Sequence, residues 1–210
     1  MENLSYTIVS LSDLLYTYNY DVNLVQKELN NFSCLLNRDV ECFIKEKAIV
    51  FDRQGWSRTH LVYTSYKDEF VLVAYFTLAN KNFVVKSNAN ISRTLKKRIA
   101  KFGQYNDELK QYVVSSILIG QLGKNDRFGF LLKGDRLLAC VFSEIRKVQK
   151  IIGGRFVYLE CEDKIRLIDF YRNNGFVEFG SRNLEVDEKD DISGQYLIQM
   201  LKYLDYLNCN

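Results

Sequence analysis

Hydrophobic and polar positions along this chain change period several times, and each change marks an element. The first ~20 residues, rich in Tyr, Leu and Thr, show no sharp pattern. Asp21–Phe32 then reads as an amphipathic helix with an acidic start, and Asn37–Ala48 as another, with Asn37 or Asp39 able to cap it. A loop at Asp52–Arg58 leads into two runs rich in β-branched and aromatic residues, Thr59–Tyr66 and Phe70–Ala79. Lys67-Asp68-Glu69 between them predicts a hairpin. Ile91–Phe102 returns to helical spacing, with Leu95 and Ile99 on one face and Arg93, Lys96, Lys97 and Lys101 over much of the rest.

The second half alternates more regularly. A strand at Val113–Leu122 is followed by a loop, Gly123–Lys133, and a strong helix, Gly134–Lys150. A Gly153-Gly154 turn opens the strand Phe156–Glu162. Apolar residues at Ile165, Leu167, Ile168 and Phe170/Tyr171 then recur at helical spacing. Gly175 stands where a helix C-terminus favours a left-handed residue, and a new strand follows from Phe176. An acidic loop, Glu185–Asp191, precedes a last apolar run, Tyr196–Leu204, which offers a surface for a partner chain and so a homodimer. The order of elements predicts a mixed α/β or α+β fold in a single domain spanning residues 1–210.

Composition narrows the function classes. A net charge of +3 is too mild to point to nucleic acid by itself. Five cysteines (Cys34, Cys42, Cys140, Cys161, Cys209) have no paired metal-site spacing and an odd count. With no signal-peptide pattern or long apolar run, reduced thiols in a cytoplasm are expected, and no metal and no membrane. Cys140 and Cys161 fall in predicted elements as packing residues. The single histidine, His60, has no Cys or Asp partner nearby in sequence, which disfavours a Ser-His or Cys-His hydrolase.

The segment Val157–Phe176 carries the strongest resemblance. Its Phe170-Tyr171-x-x-x-Gly175-Phe176 resembles the last motif of the GCN5-related N-acetyltransferase (GNAT) family, and the chain as a whole resembles a bacterial-type, single-domain member. Ser116–Asn125 is similar to the family's central strand with its splayed tip, and Lys133–Leu138 to the end of its phosphate loop and the first turn of the next helix. The resemblance is clearest over residues 70–201 and implies a bent mixed sheet flanked by helices. It also implies acetyl-CoA as co-substrate, held in a wedge between Val113–Leu122 and Phe156–Glu162.

Applied residue by residue, the resemblance places cofactor binding at Leu122, Gly123, Lys124, Arg127, Lys133, Gly134, Asp135 and Lys164. Main-chain N–H groups around Leu122 and Gly123 would polarise the thioester carbonyl, and Tyr171 would protonate the leaving sulfur. A helix N-terminus at Gly134 suits a pyrophosphate independently of any family. The pattern departs from the family in three places: Leu132 stands for the middle glycine of the phosphate loop, Gly129 for its Gln or Arg, and Lys164 for an Asn seven residues before the tyrosine. Arg127 and Lys133 can supply the charge instead. Glu160 and Glu162 share one strand face, where either could relay a proton through water or simply be solvated.

The expected activity is transfer of an acetyl group from acetyl-CoA directly to a primary amine. The acceptor is open: a small molecule, a protein amine or an aminoacyl-tRNA. Two alternatives stand beside it. One is a toxin-like member acting on aminoacyl-tRNA, supported by the basic helix Ile91–Phe102. The other is a non-catalytic CoA-binding or protein-interaction module, suggested by the irregular phosphate loop. The N-terminal helices, Asp52–Arg58 with its Trp56, and the Glu185–Asp191 region are the expected acceptor-binding parts.

Overall fold

The computed structural model describes residues 5–188, 192 and 194–205. Cys209 and part of the predicted acidic loop, residues 189–191, lie outside the described residues. The chain groups into two compact units, one from residues 1–79 and 119–146, the other from 80–118 and 147–210.

In the first unit, β1 (Thr7–Ser10) pairs antiparallel with β2 (Arg58–Tyr66), and β2 with β3 (Glu69–Lys86), whose first part belongs here. The hairpin turn is shorter than expected. Lys67 and Asp68 alone turn the chain, at φ 52° and 64°, the left-handed pair that matches the twist of a two-residue hairpin, so Glu69 is already in the strand. Beside this sheet lie α1 (Leu11–Thr17), α2 (Val22–Leu29), α3 (Arg38–Cys42) and α4 (Ala48–Gln54). A π-helical stretch, Phe43–Lys47, joins the last two.

Each of the first three helices starts on a side-chain cap: Ser10 accepts from Asp13 N, Asp21 from Asn23 N and Leu24 N, and Asn37 from Val40 N. Asn37, not Asp39, therefore caps α3. The helical path expected to end at Ala48 runs on to Gln54 and stops at Gly55, which adopts φ 72°. Leu11, Leu15, Val25, Leu29, Phe32 and Ile44 bury their side chains in this unit's core.

In the second unit, β8 (Tyr196–Tyr203) pairs antiparallel with both β6 (Phe156–Glu162) and β7 (Val177–Asn183). β5 (Gln111–Lys124), which contributes residues to both units, pairs with a short β4 (Gln104–Asn106). The full strand order is β1-β2-β3-β5-β6-β8-β7. Two helices belong to this unit, α5 (Arg93–Phe102) and α7 (Ile165–Asn173); α6 (Gly134–Ile152) begins in the first unit and ends in the second. Phe83, Val85, Leu95, Ile99, Val114, Phe156, Tyr158 and Leu201 form the core.

The apolar run Tyr196–Leu204 is thus an inner strand. Its Leu197, Ile198, Met200 and Leu201 are buried by its own unit, and both edges are paired, so it offers no strand edge to a second copy. Among the described residues, no helix is long and apolar enough to cross a membrane.

Candidate active site

At the end of β5 the regular ladder gives way to side-chain bonding. Gln121 N donates to the Thr77 hydroxyl (2.8 Å), and its side-chain amide reaches Asp39 on α3 (2.7 Å). At Gly123 the strand meets the helices directly. A Cβ there would lie 2.3 Å from Val40 Cγ1 and 3.2 Å from Phe32 Cζ, so any larger residue would collide. Gly123 is therefore required by packing. Leu122 and Lys124 are half-buried on either side of it.

The predicted phosphate loop starts from Asn125, which is 1% exposed and uses every part of its amide. Its Nδ2 donates to Leu72 O (2.9 Å) and Asn31 O (3.4 Å), and its Oδ1 accepts from Arg127 N (3.2 Å) and Ser33 N (3.3 Å). Its own N–H donates to Val73 O (2.8 Å). One turn of 3-10 helix, Gly129–Leu131, follows. Lys124 Nζ donates to the carbonyls of Gly129 (3.1 Å) and Leu132 (3.0 Å), bracing the loop from within. Tyr6 OH donates to Leu131 O (2.7 Å).

Leu132, the departure from the family pattern, is 1% exposed: its side chain fills the loop's interior and leaves the outer surface to backbone. Arg127, Lys133, Asp135 and Arg136 are exposed around the start of α6. Lys133 O accepts from Arg136 N and Leu137 N (both 3.1 Å), which makes Lys133 the residue before the helix, and the N–H groups of Gly134 and Asp135 have no intrahelical acceptor. A rigid loop, outward N–H groups at a long helix and flanking cations suit an anionic diphosphate. Lys124 differs from the expectation in that its ammonium is turned into the loop.

In the second unit, the Tyr-x-x-x-Gly-Phe spacing has a geometric cause. Gly175, at φ 81°, ends α7, Gly175 N donates to Arg172 O (2.9 Å), and Phe176 N turns back to Tyr171 O (3.0 Å). The Tyr171 ring is thereby fixed edge-on to Phe176 (5.6 Å) and Phe170 (5.2 Å). Burial pushes the Tyr171 hydroxyl above its usual pKa of 10, so it is a proton donor rather than a base at neutral pH.

The two glutamates of β6 differ in environment. Glu160 accepts from Arg182 Nε (2.7 Å), from Gln199 Nε2 (3.2 Å) and from Tyr158 OH. Burial opposes its charge, but Arg182, Tyr158 and Gln199 together hold its carboxyl below the usual 4.5, which makes it a weak base. Glu162 is buried and pairs with Lys164 Nζ (2.7 Å). With Asp163, Lys164 and Tyr196 it lines a cavity of about 280 Å³, where Tyr196 OH donates to Asp163 (2.6 Å). Lys164 is thus placed beside a carboxylate, at the N-cap of α7.

Cys161 packs beside Met200 (3.9 Å), and burial pushes its thiol up to about 12, which leaves it a neutral packing residue. His60 stacks on Phe76 (4.9 Å) within the β2–β3 pair. In the supposed acceptor loop, Asp52 is a buried helical residue that accepts from Ser12 Oγ (2.6 Å), Arg58 Nη1 (2.9 Å) and Thr59 N (3.1 Å), while Trp56 stays exposed, edge-on to Phe51. Sequence reasoning passed over Asn125 and Arg182. Arg182 had no sequence signal, since Glu160 is 22 residues away. Asn125 sat at the end of the motif quoted for the central strand.

No family model and no curated protein matches the sequence. Solved structures do match the fold. A mutant of KacT aligns with TM-score 0.61 and 16% identity over 92% of this chain and 93% of its own. AtaT complexed with acetyl-methionyl-tRNAfMet gives 0.61 and 16% over 93% and 94%. A mutant AtaT toxin bound to the C-terminus of the antitoxin AtaR and acetyl-CoA gives 0.57 and 15% over 94% and 92%. The mutants of KacT and AtaT are tyrosine-to-phenylalanine variants. At this identity the likeness is one of fold, and the architecture is the GNAT-type mixed sheet flanked by helices.

Proposed function

We propose that this chain is an N-acetyltransferase that moves an acetyl group from acetyl-CoA to the primary amine of an aminoacyl-tRNA. The observation that carries the reading is the fold match over more than nine-tenths of both chains to AtaT, a protein solved with acetyl-CoA and with an N-acetylated aminoacyl-tRNA. The loop from Asn125 to Lys133 and the start of α6 supply the features a pyrophosphate needs, with Gly134 and Asp135 offering N–H groups and Arg127 and Lys133 offering charge. Main chain around Leu122 and Gly123 is assigned the thioester carbonyl.

The neutral amine attacks that carbonyl, a C–N bond forms, the C–S bond breaks, and the Tyr171 hydroxyl gives its proton to the departing thiolate. The ammonium proton of the acceptor must leave before attack. Of the two candidates, Glu162 suits that task better, because Glu160 is committed to Arg182. No covalent enzyme intermediate is needed.

Titration calorimetry with acetyl-CoA tests the reading. Micromolar binding that weakens at least tenfold in Gly134→Asp, where a carboxylate would face the diphosphate, supports it. Absence of heat with the wild-type chain would discard the acetyltransferase assignment and leave a GNAT fold without its co-substrate.

A further inference from the structure

Charge is unevenly distributed along this chain. Residues 80–118 carry eight Lys and Arg against two acids, Asp107 and Glu108, a net +6 within a total of +3. Five of those cations lie on α5, which has no acidic residue of its own. Leu95 and Ile99 seat the helix on the core of its unit, and Arg93, Lys96, Lys97 and Lys101 face outward.

The helix ends in Phe102, 41% exposed, at a cavity of about 380 Å³ whose other walls include Asn80, Ser116, Gly153, Gly154 and Arg155. That volume is in the range of small-ligand sites, about 300–1,000 Å³. Lys101 Nζ lies 5.4 Å and Arg155 Cζ 5.6 Å from the Phe102 ring centroid. Gly153 and Gly154, at φ 80° and 102°, hold the turn opposite, and a Cβ on either would meet nothing within 4 Å, so that wall stays open. An exposed ring, a guanidinium plane and amide and hydroxyl groups in one recess, beside a run of unopposed cations, match a nucleobase with its phosphates. An acidic peptide would use the cations but has no planar group for the recess.

We propose that α5 and the Phe102 recess form an RNA-binding surface, in which an unpaired base stacks on Phe102 beside Arg155 while neighbouring phosphates lie along Lys96, Lys97 and Lys101. The inference rests on the aminoacyl-tRNA reading above and gives it a docking surface on the second unit. The recess supplies stacking, which tolerates any base, and the helix supplies the salt-sensitive part of affinity.

Fluorescence anisotropy with a labelled, deacylated tRNA, on the full chain across a salt series, tests it. Combined Lys96→Ala, Lys97→Ala and Lys101→Ala should flatten the log Kd against log salt slope by about two to three. Phe102→Ala should weaken binding about tenfold with the slope unchanged, and Phe102→Tyr should restore it. Acetyl-CoA binding, followed by calorimetry on the same variants, should stay at the wild-type value. An unchanged slope in the lysine variant overturns the proposal. So does wild-type tRNA affinity in Phe102→Ala, including the case in which heparin competes as well as RNA, which would mark a general polyanion surface. Loss of the expected tRNA effects with acetyl-CoA binding intact sinks this surface alone. The expected tRNA effects without acetyl-CoA binding sustain the surface and sink the transferase.

Discussion

Gly123 on β5 lies against Val40 on α3 so closely that a single added carbon would come within 2.3 Å of Val40 Cγ1. Both residues are buried, and Val40 O also accepts a hydrogen bond from the buried Tyr75 hydroxyl, so the helix is tied in place and has little room to withdraw. Overpacking at such a contact costs about 1–3 kcal/mol. Gly123→Ala should therefore lower stability by that amount in urea denaturation. Adding Val40→Ala should recover part of the loss, since it removes the opposing methyl. A fully additive double variant would show that the contact is not what excludes the side chain.

Asn125 makes a second prediction. Its amide bonds four main-chain groups drawn from the loop after α2, from β3 and from its own loop. Removing it strands several buried donors and acceptors, each costing about 1–3 kcal/mol when unsatisfied. Asn125→Ala should cost about 3 kcal/mol, and Asn125→Asp nearly as much, because a carboxylate cannot donate to Leu72 O. Proteolysis within Phe128–Leu131 should quicken in both. Wild-type denaturation midpoints in either variant would contradict the account.

How far such features can be read in advance depends on the range of the interaction that creates them. Phe156–Glu162 matches its observed strand because a fully buried run between turn residues leaves one solution. Gly175 was legible because the left-handed cap is a local demand. β3 was expected to end at Ala79. It continues because Phe83 and Val85 alternate with exposed Val84 and Lys86, a one-sided pattern following a two-sided one. β1 and α1 were missed for a different reason: only Leu11 and Leu15 of α1 are buried, too few to set a period. At the site, Tyr171 stood out by spacing. The inward turn of Lys124, the inward face of Leu132 and the Arg182 clamp on Glu160 depend on residues meeting in space, which no local pattern encodes.

Arg182 joins Glu160 and Glu188, donating to Glu160 Oε2 at 2.7 Å and to Glu188 at 2.6 and 2.7 Å. Hydrogen bonding to Arg182 holds Glu188 below the usual 4.5, and Glu160 is lowered too, despite its burial. Both folded values lie under the unfolded ones, so this stabilisation is complete above about pH 4.5 and is lost as pH falls through the folded values. The wild-type urea midpoint should thus fall between pH 5 and 3 by more than that of Arg182→Met. At pH 7 the variant should be weaker by about 2 kcal/mol, less than a fully buried pair because Arg182 and Glu188 keep some solvent. Parallel acid limbs for the two proteins would remove the clamp as their cause.

Tyr171→Phe separates proton donation from folding. The ring supplies the edge-on packing with Phe170 and Phe176, and phenylalanine preserves it, so the denaturation midpoint should move little. Acetyl-CoA binding, followed by calorimetry, should also persist, because the diphosphate seat is assigned to the start of α6. What should fall is turnover with an aminoacyl-tRNA acceptor, by about 10²-fold or more, the usual worth of a positioned acid. Because burial raises the hydroxyl above 10, the wild type should keep its proton donor through pH 10, and an alkaline decline in kcat below that must come from another group. Retained turnover in Tyr171→Phe would show that the leaving sulfur takes its proton elsewhere, from solvent or from the acceptor itself.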